Sequence, residues 1–248
     1  MYLYIYDSFL NDKKYVNLLA KIEQRVTDLS IKGRTAKLSI LKNMKELITD
    51  AVKDGVKTVV AVGNGQTFAK VINIVADLDV TLGLIPVDDN NLIARALGVP
   101  SKVAACDVLA SRIIKKIDLG KINNHYFFKS AEIVNGAVTI DFSDFQVQPT
   151  TEKSRITLHN FSDHDLSPGS NPSDGFLEVV ITPYRQTVLG KKRITGTVLP
   201  FNKVMINSDQ EEEVSILTDE QIIMKTPADI VAVPGRLKVI VGGERDFD

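Results

Sequence analysis

The chain has little cysteine, no long apolar run and little net charge, and each absence excludes something. Of 248 residues only Cys106 is a cysteine, so no internal disulfide can form and the chain suits a reducing, cytoplasmic compartment. Among Val103, Ala104, Ala105 and Val108, Cys106 reads as a small buried apolar residue. A formal net charge of −1 leaves no global basic field, which argues against a nucleic-acid partner. The opening MYLYIYDSF has no basic leader, and its apolar run is far too short to cross a bilayer. No internal repeat or low-complexity tract is present. What remains is an ordinary globular composition, 44% hydrophobic and 25% charged, long enough for one large domain or two smaller ones.

The first half alternates strand and helix. Tyr2 to Tyr6 is an aromatic and β-branched strand, and Asp7 and Ser8 fall at its carboxyl end, where open α/β sheets place ligands. Helical spacing follows through Val16, Leu19, Ile22, Val26 and Leu29. Further strands are predicted at 34–38, 58–62 and 80–85, and further helices at 43–53, 67–78, 91–97 and 103–114. This alternation predicts a doubly wound α/β domain with a parallel sheet covered on both faces. After Lys116 the stretches become short and β-rich, punctuated by Asn135-Gly136, Asp174-Gly175 and Pro234-Gly235. The expectation is an α/β domain over 1–115 followed by an antiparallel β-sandwich domain over 116–248.

The stretch 58–100 organises the first half. Thr58 to Val62 breaks into Gly63-Asn64-Gly65 and then a helical period through Phe68, Val71, Ile72 and Val75. A strand feeding a helix through a glycine turn converges free backbone N–H groups and the helix dipole, which suits an anion. The turn is not a Walker loop, since no Lys-Ser/Thr pair follows, nor a complete dinucleotide fingerprint, since Phe68 takes the third glycine position. Two readings stand: a backbone turn that binds nothing, or an anion cradle made by the amides of Asn64 to Gln66 with Thr67. Asp88, Asp89, Asn90 and Asn91 follow the next strand and read either as a cation or ribose site or as a polar helix cap.

Five stretches together resemble the diacylglycerol kinase catalytic family, which shares its superfamily with NAD kinases. The family's VGGDGT segment is similar to Val62-Gly63-Asn64-Gly65-Gln66-Thr67, and its IPLGTGNDFAR…LGIP segment to Ile85-Pro86-Val87 through Asn91, Ala94, Arg95, Leu97, Gly98, Val99 and Pro100. Ile117-Asp118-Leu119-Gly120 looks like its VDLG, and Asp174-Gly175-Phe176-Leu177-Glu178-Val179 like its DGLLDV. Its terminal DGE module resembles Thr218-Asp219-Glu220 leading to Pro227, Ile230, Val233, Pro234, Gly235 and Leu237. The resemblance implies transfer of the γ-phosphate of ATP, with Mg2+, to a lipid hydroxyl at a membrane surface. It implies nucleotide binding by Gly63, Asn64, Gly65, Gln66, Thr67 and Asn91, and catalysis by Glu220 with Asp219. It also implies a last strand, Leu237 to Val241, packed back on the first domain, and it leaves room for a homodimer.

The departures bear on catalysis. The family's first aspartate falls on Gly65, two glycines fall on Asp88 and Asn90, a further aspartate falls on Leu92, and the presumed base falls on Thr218. Loss of a base costs typically 10² to 10⁴ in rate, and added carboxylates oppose a triphosphate. A register slip would present Asp219 instead of Thr218, but strand neighbours face opposite ways, so Asp219 and Glu220 would not share a site. A catalytically inactive relative that binds a nucleotide, lipid or protein is therefore the alternative expectation. His159, Asp163, His164 and Asp165 lack a fixed ligand spacing, so the metal set stays unassigned. Lys191, Lys192 and Arg193, beside Val188 and Leu189, form a basic run that fits either a solvated loop or a membrane contact.

Overall fold

A computed structural model describes residues 1–38, 43–133, 137–149, 154–161, 171–187, 190–193, 196–219, 222–245 and 247. The chain forms two compact units. Unit 1 comprises Met1–Ile117 and Arg236–Asp248, and unit 2 comprises Asp118–Gly235.

In unit 1, β1 (Tyr2–Tyr6), β2 (Gly33–Lys37), β3 (Thr58–Gly63) and β4 (Thr81–Pro86) pair in the order β2-β1-β3-β4, all parallel. Every residue of β3 and β4 is buried, as expected of central parallel strands covered on both faces. The edge strand β2 is exposed and carries Arg34 and Lys37, charges that discourage pairing with another chain. Helix α1 (Val16–Asp28) buries Leu19, Ile22 and Val26, and α2 (Met44–Lys53) buries Ile48 and Ala51. Helix α3 (Gly65–Val75) buries Phe68, Val71, Ile72 and Val75, each side chain stabilising by roughly 1.5–3 kcal/mol. Two short helices follow, α4 (Leu92–Ala96) and α5 (Ala105–Ser111). Helix α1 packs with α5 and α2 with α3, while both α3 and α5 contact β4.

The helix expected over 103–114 stops earlier. Arg112 adopts the left-handed conformation at φ 53 and closes α5, and Ile114 already begins β5 (Ile114–Ile122). Apolar spacing at Ile113 and Ile114 belongs to the incoming strand and not to the helix. Cys106 is fully buried, and burial pushes its thiol up to about 11, so it is inert at neutral pH.

Unit 2 is antiparallel, with β6 (His125–Phe127), β7 (Ser130–Ile133), β8 (Val138–Asp141), β9 (Gln146–Val147), β10 (Ser154–His159), β11 (Leu177–Thr187), β12 (Gly190–Arg193), β13 (Thr197–Phe201), β14 (Lys203–Ser208), β15 (Ser215–Thr218), β16 (Ile222–Lys225) and β17 (Ala228–Ile240). One layer runs β12-β11-β10-β7-β15-β16, with β13 also on β11; the other joins β17, β14, β8 and β9, with β5 on β17. Alternate residues of both layers, among them Ile133, Ile156, Leu158, Val179, Ile206, Ile216 and Ile230, meet in one core. Phe127 lies within this core, and Gly120 is required opposite it because a Cβ would collide with the ring. Strands β6 and β7 are separate, and β13 and β14 part at Asn202 and enter different layers.

Pro234-Gly235, expected as a turn between strands, lies inside the single strand β17. Gly235 at φ +57 absorbs the irregularity, and the strand continues to Ile240. Its last residues belong to unit 1, where Lys238 pairs with Thr81 and Val239 with Leu82, adding a parallel strand beside β4. Arg236 and Lys238 hold Asp77 and Asp79 there. Beyond β17 the backbone crosses the end of α4, where Gly242 N donates to Leu97 O at 2.9 Å and a Cβ on Gly242 would collide with Gly98 O. Gly242→Ala is expected to lower the stability of unit 1 by about 1–3 kcal/mol in urea unfolding. Gly243→Ala, whose Cβ meets nothing within 4 Å, is expected to change it by less than about 0.5 kcal/mol. Equal effects would show that the crossing is not tight.

Candidate functional site

The glycine turn sits at the carboxyl edge of the unit 1 sheet. Gly63 is glycine because a Cβ would run into the Thr67 side chain. Asn64 is the N-cap of α3: its Oδ1 accepts from Thr67 N at 3.1 Å, and its own N–H donates to Thr67 Oγ1 at 3.2 Å, a reciprocal capping box. The helix thus begins at Gly65, two residues before the expected start. The amide of Asn64 is engaged within the box, while those of Gly65 and Gln66 have no acceptor among the described residues. Thr67 is fully buried, and its hydroxyl donates to Asp7 Oδ2 at 2.7 Å.

The neighbouring turn is fixed by the same register. Gly63 pairs with Pro86, and Val87 N donates to Gly63 O at 3.0 Å. Asn91, 5% exposed, caps α4 by accepting from Ala94 N at 3.0 Å, and its Nδ2 lies 3.4 Å from Asp88 Oδ1. Here the cap reading of 88–91 holds for Asn91 in particular. A pocket of about 390 Å³ opens beside it, lined among others by Pro86, Asp88, Asp89, Asn91, Arg95 and Ser101. Asp89 is held by Lys102 at 2.7 Å and Ser101 at 2.6 Å, and these bonds keep its carboxyl below the usual range. Of the two added carboxylates, only Asp88 therefore lacks a cationic partner among the described residues. The structure brings Gly63, Asn64, Gly65, Gln66, Thr67 and Asn91 to one edge of unit 1.

In unit 2, Thr218 is 1% exposed, and its hydroxyl donates to Ile222 O at 3.1 Å. Asp219 follows β15 at φ 48, outside the strand, so the alternation argument that separated it from Glu220 does not apply. Glu220 itself lies outside the described residues, as do Asp163, His164, Asp165, Val188, Leu189 and the Asn135-Gly136 dipeptide. The Asp219 carboxylate accepts from Phe128 N and Lys129 N at 2.7 Å and from Ser130 N at 3.1 Å, while Asp219 N donates to Ser130 O at 2.8 Å. Burial pushes this carboxyl up, against the downward pull of the three amides. Lys191, Lys192 and Arg193 lie on β12, paired with Gln186, Arg185 and Tyr184.

Two residues carry more than the sequence showed. Asp118, 2% exposed, accepts from Gly175 N at 2.7 Å and Gly235 N at 2.6 Å, tying the Asp174-Gly175 turn to the kink of β17. The visible signal was an aspartate inside an apolar strand. Asp7 reaches Thr67 across sixty positions of chain, and the only signal was its place at the end of β1. Among the described residues no group of three or more His, Cys, Asp or Glu is gathered to hold a metal, and no helix is long and apolar enough to cross a membrane. Asp219→Ala is expected to cost about 2–3 kcal/mol, because three part-buried amides lose their acceptor. Hydrogen exchange at Phe128, Lys129 and Ser130 checks this; unchanged protection there would refute the anchoring role.

Residues 2–122 match the family model described as the diacylglycerol kinase catalytic domain. The chain is similar to the diacylglycerol kinase of Bacillus subtilis (strain 168), 39% identical over 77 residues, 29% of this chain and 25% of that protein. It is also similar to that of Staphylococcus haemolyticus (strain JCSC1435), 36% identical over 84 residues, 33% of this chain and 26% of that protein. These matches span about a quarter of the length of the curated relatives. Among solved structures, the fold resembles a diacylglycerol kinase from Bacillus anthracis str. Sterne, with a TM-score of 0.79 at 18% identity, covering 98% of this chain and 97% of that one. With the glycine turn in place, residues 2–122 belong to the diacylglycerol kinase catalytic-domain family.

Proposed function

We propose that the chain is a lipid-kinase-type phosphotransferase, moving the γ-phosphoryl group of ATP to a lipid hydroxyl from a diverged site. The observation that carries this reading is the adjacency of the glycine turn and the 86–91 turn, joined by Val87 N and Gly63 O, within the stretch that the family model matches. The two open amides of Gly65 and Gln66 and the positive end of α3 suit phosphate oxygens. Asn91 braces the second turn through Ala94. Magnesium, which offsets phosphate charge, needs only one or two protein carboxylates beside phosphate oxygens, and Asp88 is the available one at this edge. Glu220 with Asp219 is assigned to the acceptor hydroxyl. The partners are a nucleotide and a lipid at a membrane surface, met by a cytoplasmic, peripheral protein that can act as a homodimer.

A second reading, a catalytically silent relative that binds nucleotide, lipid or protein, is favoured by one observation. Both carboxylate oxygens of Asp219 are already taken by backbone amides, and Gly65 and Thr218 stand where the family has carboxylates. Saturating ATP with magnesium is expected to raise the unfolding temperature by several degrees, as mass action requires of a native-state ligand. Labelled ATP with a total lipid extract then separates the readings. Turnover by the native chain supports the kinase. Turnover appearing only in the Gly65→Asp, Thr218→Asp double variant establishes the silent relative, and absence of any nucleotide-induced shift refutes the kinase.

A further inference from the structure

The Thr67 hydroxyl, in the first turn of α3, already donates to a carboxylate of the chain. Asp7 leaves β1 with its N–H donated to Val62 O at 3.2 Å, the last carbonyl before Gly63, so its backbone is fixed against the turn. Its Oδ2 accepts the Thr67 hydroxyl at 2.7 Å. Its Oδ1 accepts from Ser8 Oγ at 3.2 Å and Phe9 N at 3.5 Å, so both oxygens are held by the chain. Thr67 Oγ1 has one proton and two candidate acceptors, Asp7 Oδ2 at 2.7 Å and Asn64 Oδ1 at 3.1 Å. The shorter contact to a charged oxygen wins. Since Thr67 Oγ1 also accepts from Asn64 N, the hydroxyl has nothing left to donate to an incoming phosphate.

We propose that Asp7 sets the anion selectivity of the glycine turn, its carboxylate occupying the charge position that a phosphate would take beside Thr67. The inference rests on the nucleotide reading of that turn and deepens it. A helix N-terminus presents about half a positive charge, which one carboxylate already offsets. A phosphate arriving at Gly65 and Gln66 meets the like charge of the carboxylate bound to Thr67 and finds the Thr67 proton committed. The turn consequently retains the backbone shape of a phosphate cradle while one like charge weakens its hold on anionic groups. The constraint is local to Asp7: an amide in its place keeps the acceptor oxygen for Thr67 and removes the charge.

The test is isothermal titration of the native chain, Asp7→Asn and Asp7→Ala with pyrophosphate, ATP, ATP with magnesium, and adenosine. Circular dichroism and urea midpoints of both variants are measured in parallel, and Asp7→Asn, which preserves the acceptor, is the variant read if Asp7→Ala unfolds. The expected result is pyrophosphate and ATP binding on the order of ten- to a hundred-fold tighter in Asp7→Asn, with adenosine affinity unchanged. Unchanged or weaker anion binding overturns the proposal. A loss seen only with magnesium would make Asp7 a metal ligand and overturns it equally, as does the absence of binding by all three proteins. Tight native binding of ATP with magnesium, unimproved by Asp7→Asn, defeats this inference and leaves the kinase reading standing. Binding that appears only in the variant does the reverse.

Discussion

The parallel register between β3 and β4 is the constraint on which the rest of unit 1 depends. Pairing runs from Thr58 with Thr81 to Gly63 with Pro86, and every side chain along it is buried. A one-residue slip would exchange the two faces of a strand covered on both sides, so the register is strongly specified. Two consequences follow at the carboxyl edge. The glycine turn and the 86–91 turn emerge side by side, and Val87 N finds Gly63 O. Asp7, ending the adjacent β1, arrives in the same plane because Tyr6 pairs with Val62. Three loops that are distant in sequence are thereby neighbours before any of their side chains act.

The polar residues at that edge serve the backbone first. Asn64, Thr67 and Asn91 all cap helices, and the hydrogen bonds they make would be needed with no ligand present. A phosphate site and a well-capped helix use the same atoms, which is why one motif supports both readings. What distinguishes them is the set of donors left over. Among the described residues that set is narrow, two amides and no hydroxyl proton, with Asp88 at the rim lacking a cationic partner.

Local pattern carried much of the fold. Strands β1, β3 and β4 are apolar runs, and α1 and α3 show a clean helical period, so sequence spacing found them. The failures share a cause. Pro234-Gly235 reads as a turn because the dipeptide favours one, yet the carboxylate that accepts Gly235 N belongs to Asp118, more than a hundred residues earlier. Ile113 and Ile114 extend a helical spacing, but the left-handed Arg112 ends the helix, and Val241 N reaches back to Ile113 O. The site was legible as a list of residues and not as a network. The sequence identifies Thr67, but nothing local says that its proton goes to Asp7.

The discontinuity of unit 1 orders the events of synthesis. Unit 2 is a continuous stretch of chain, complete once Gly235 has left the ribosome, whereas the strand beside β4 and the Gly98–Gly242 crossing come from the segment that follows it, Arg236–Asp248. The nascent parallel sheet therefore exposes the β4 edge throughout translation of the inserted unit. That edge is an unpaired template of buried-type residues, and its protection arrives only after the inserted unit. A ribosome pausing before residue 236 would hold the protein at its most adhesive stage, with the inserted unit finished and the parallel unit still open on one side.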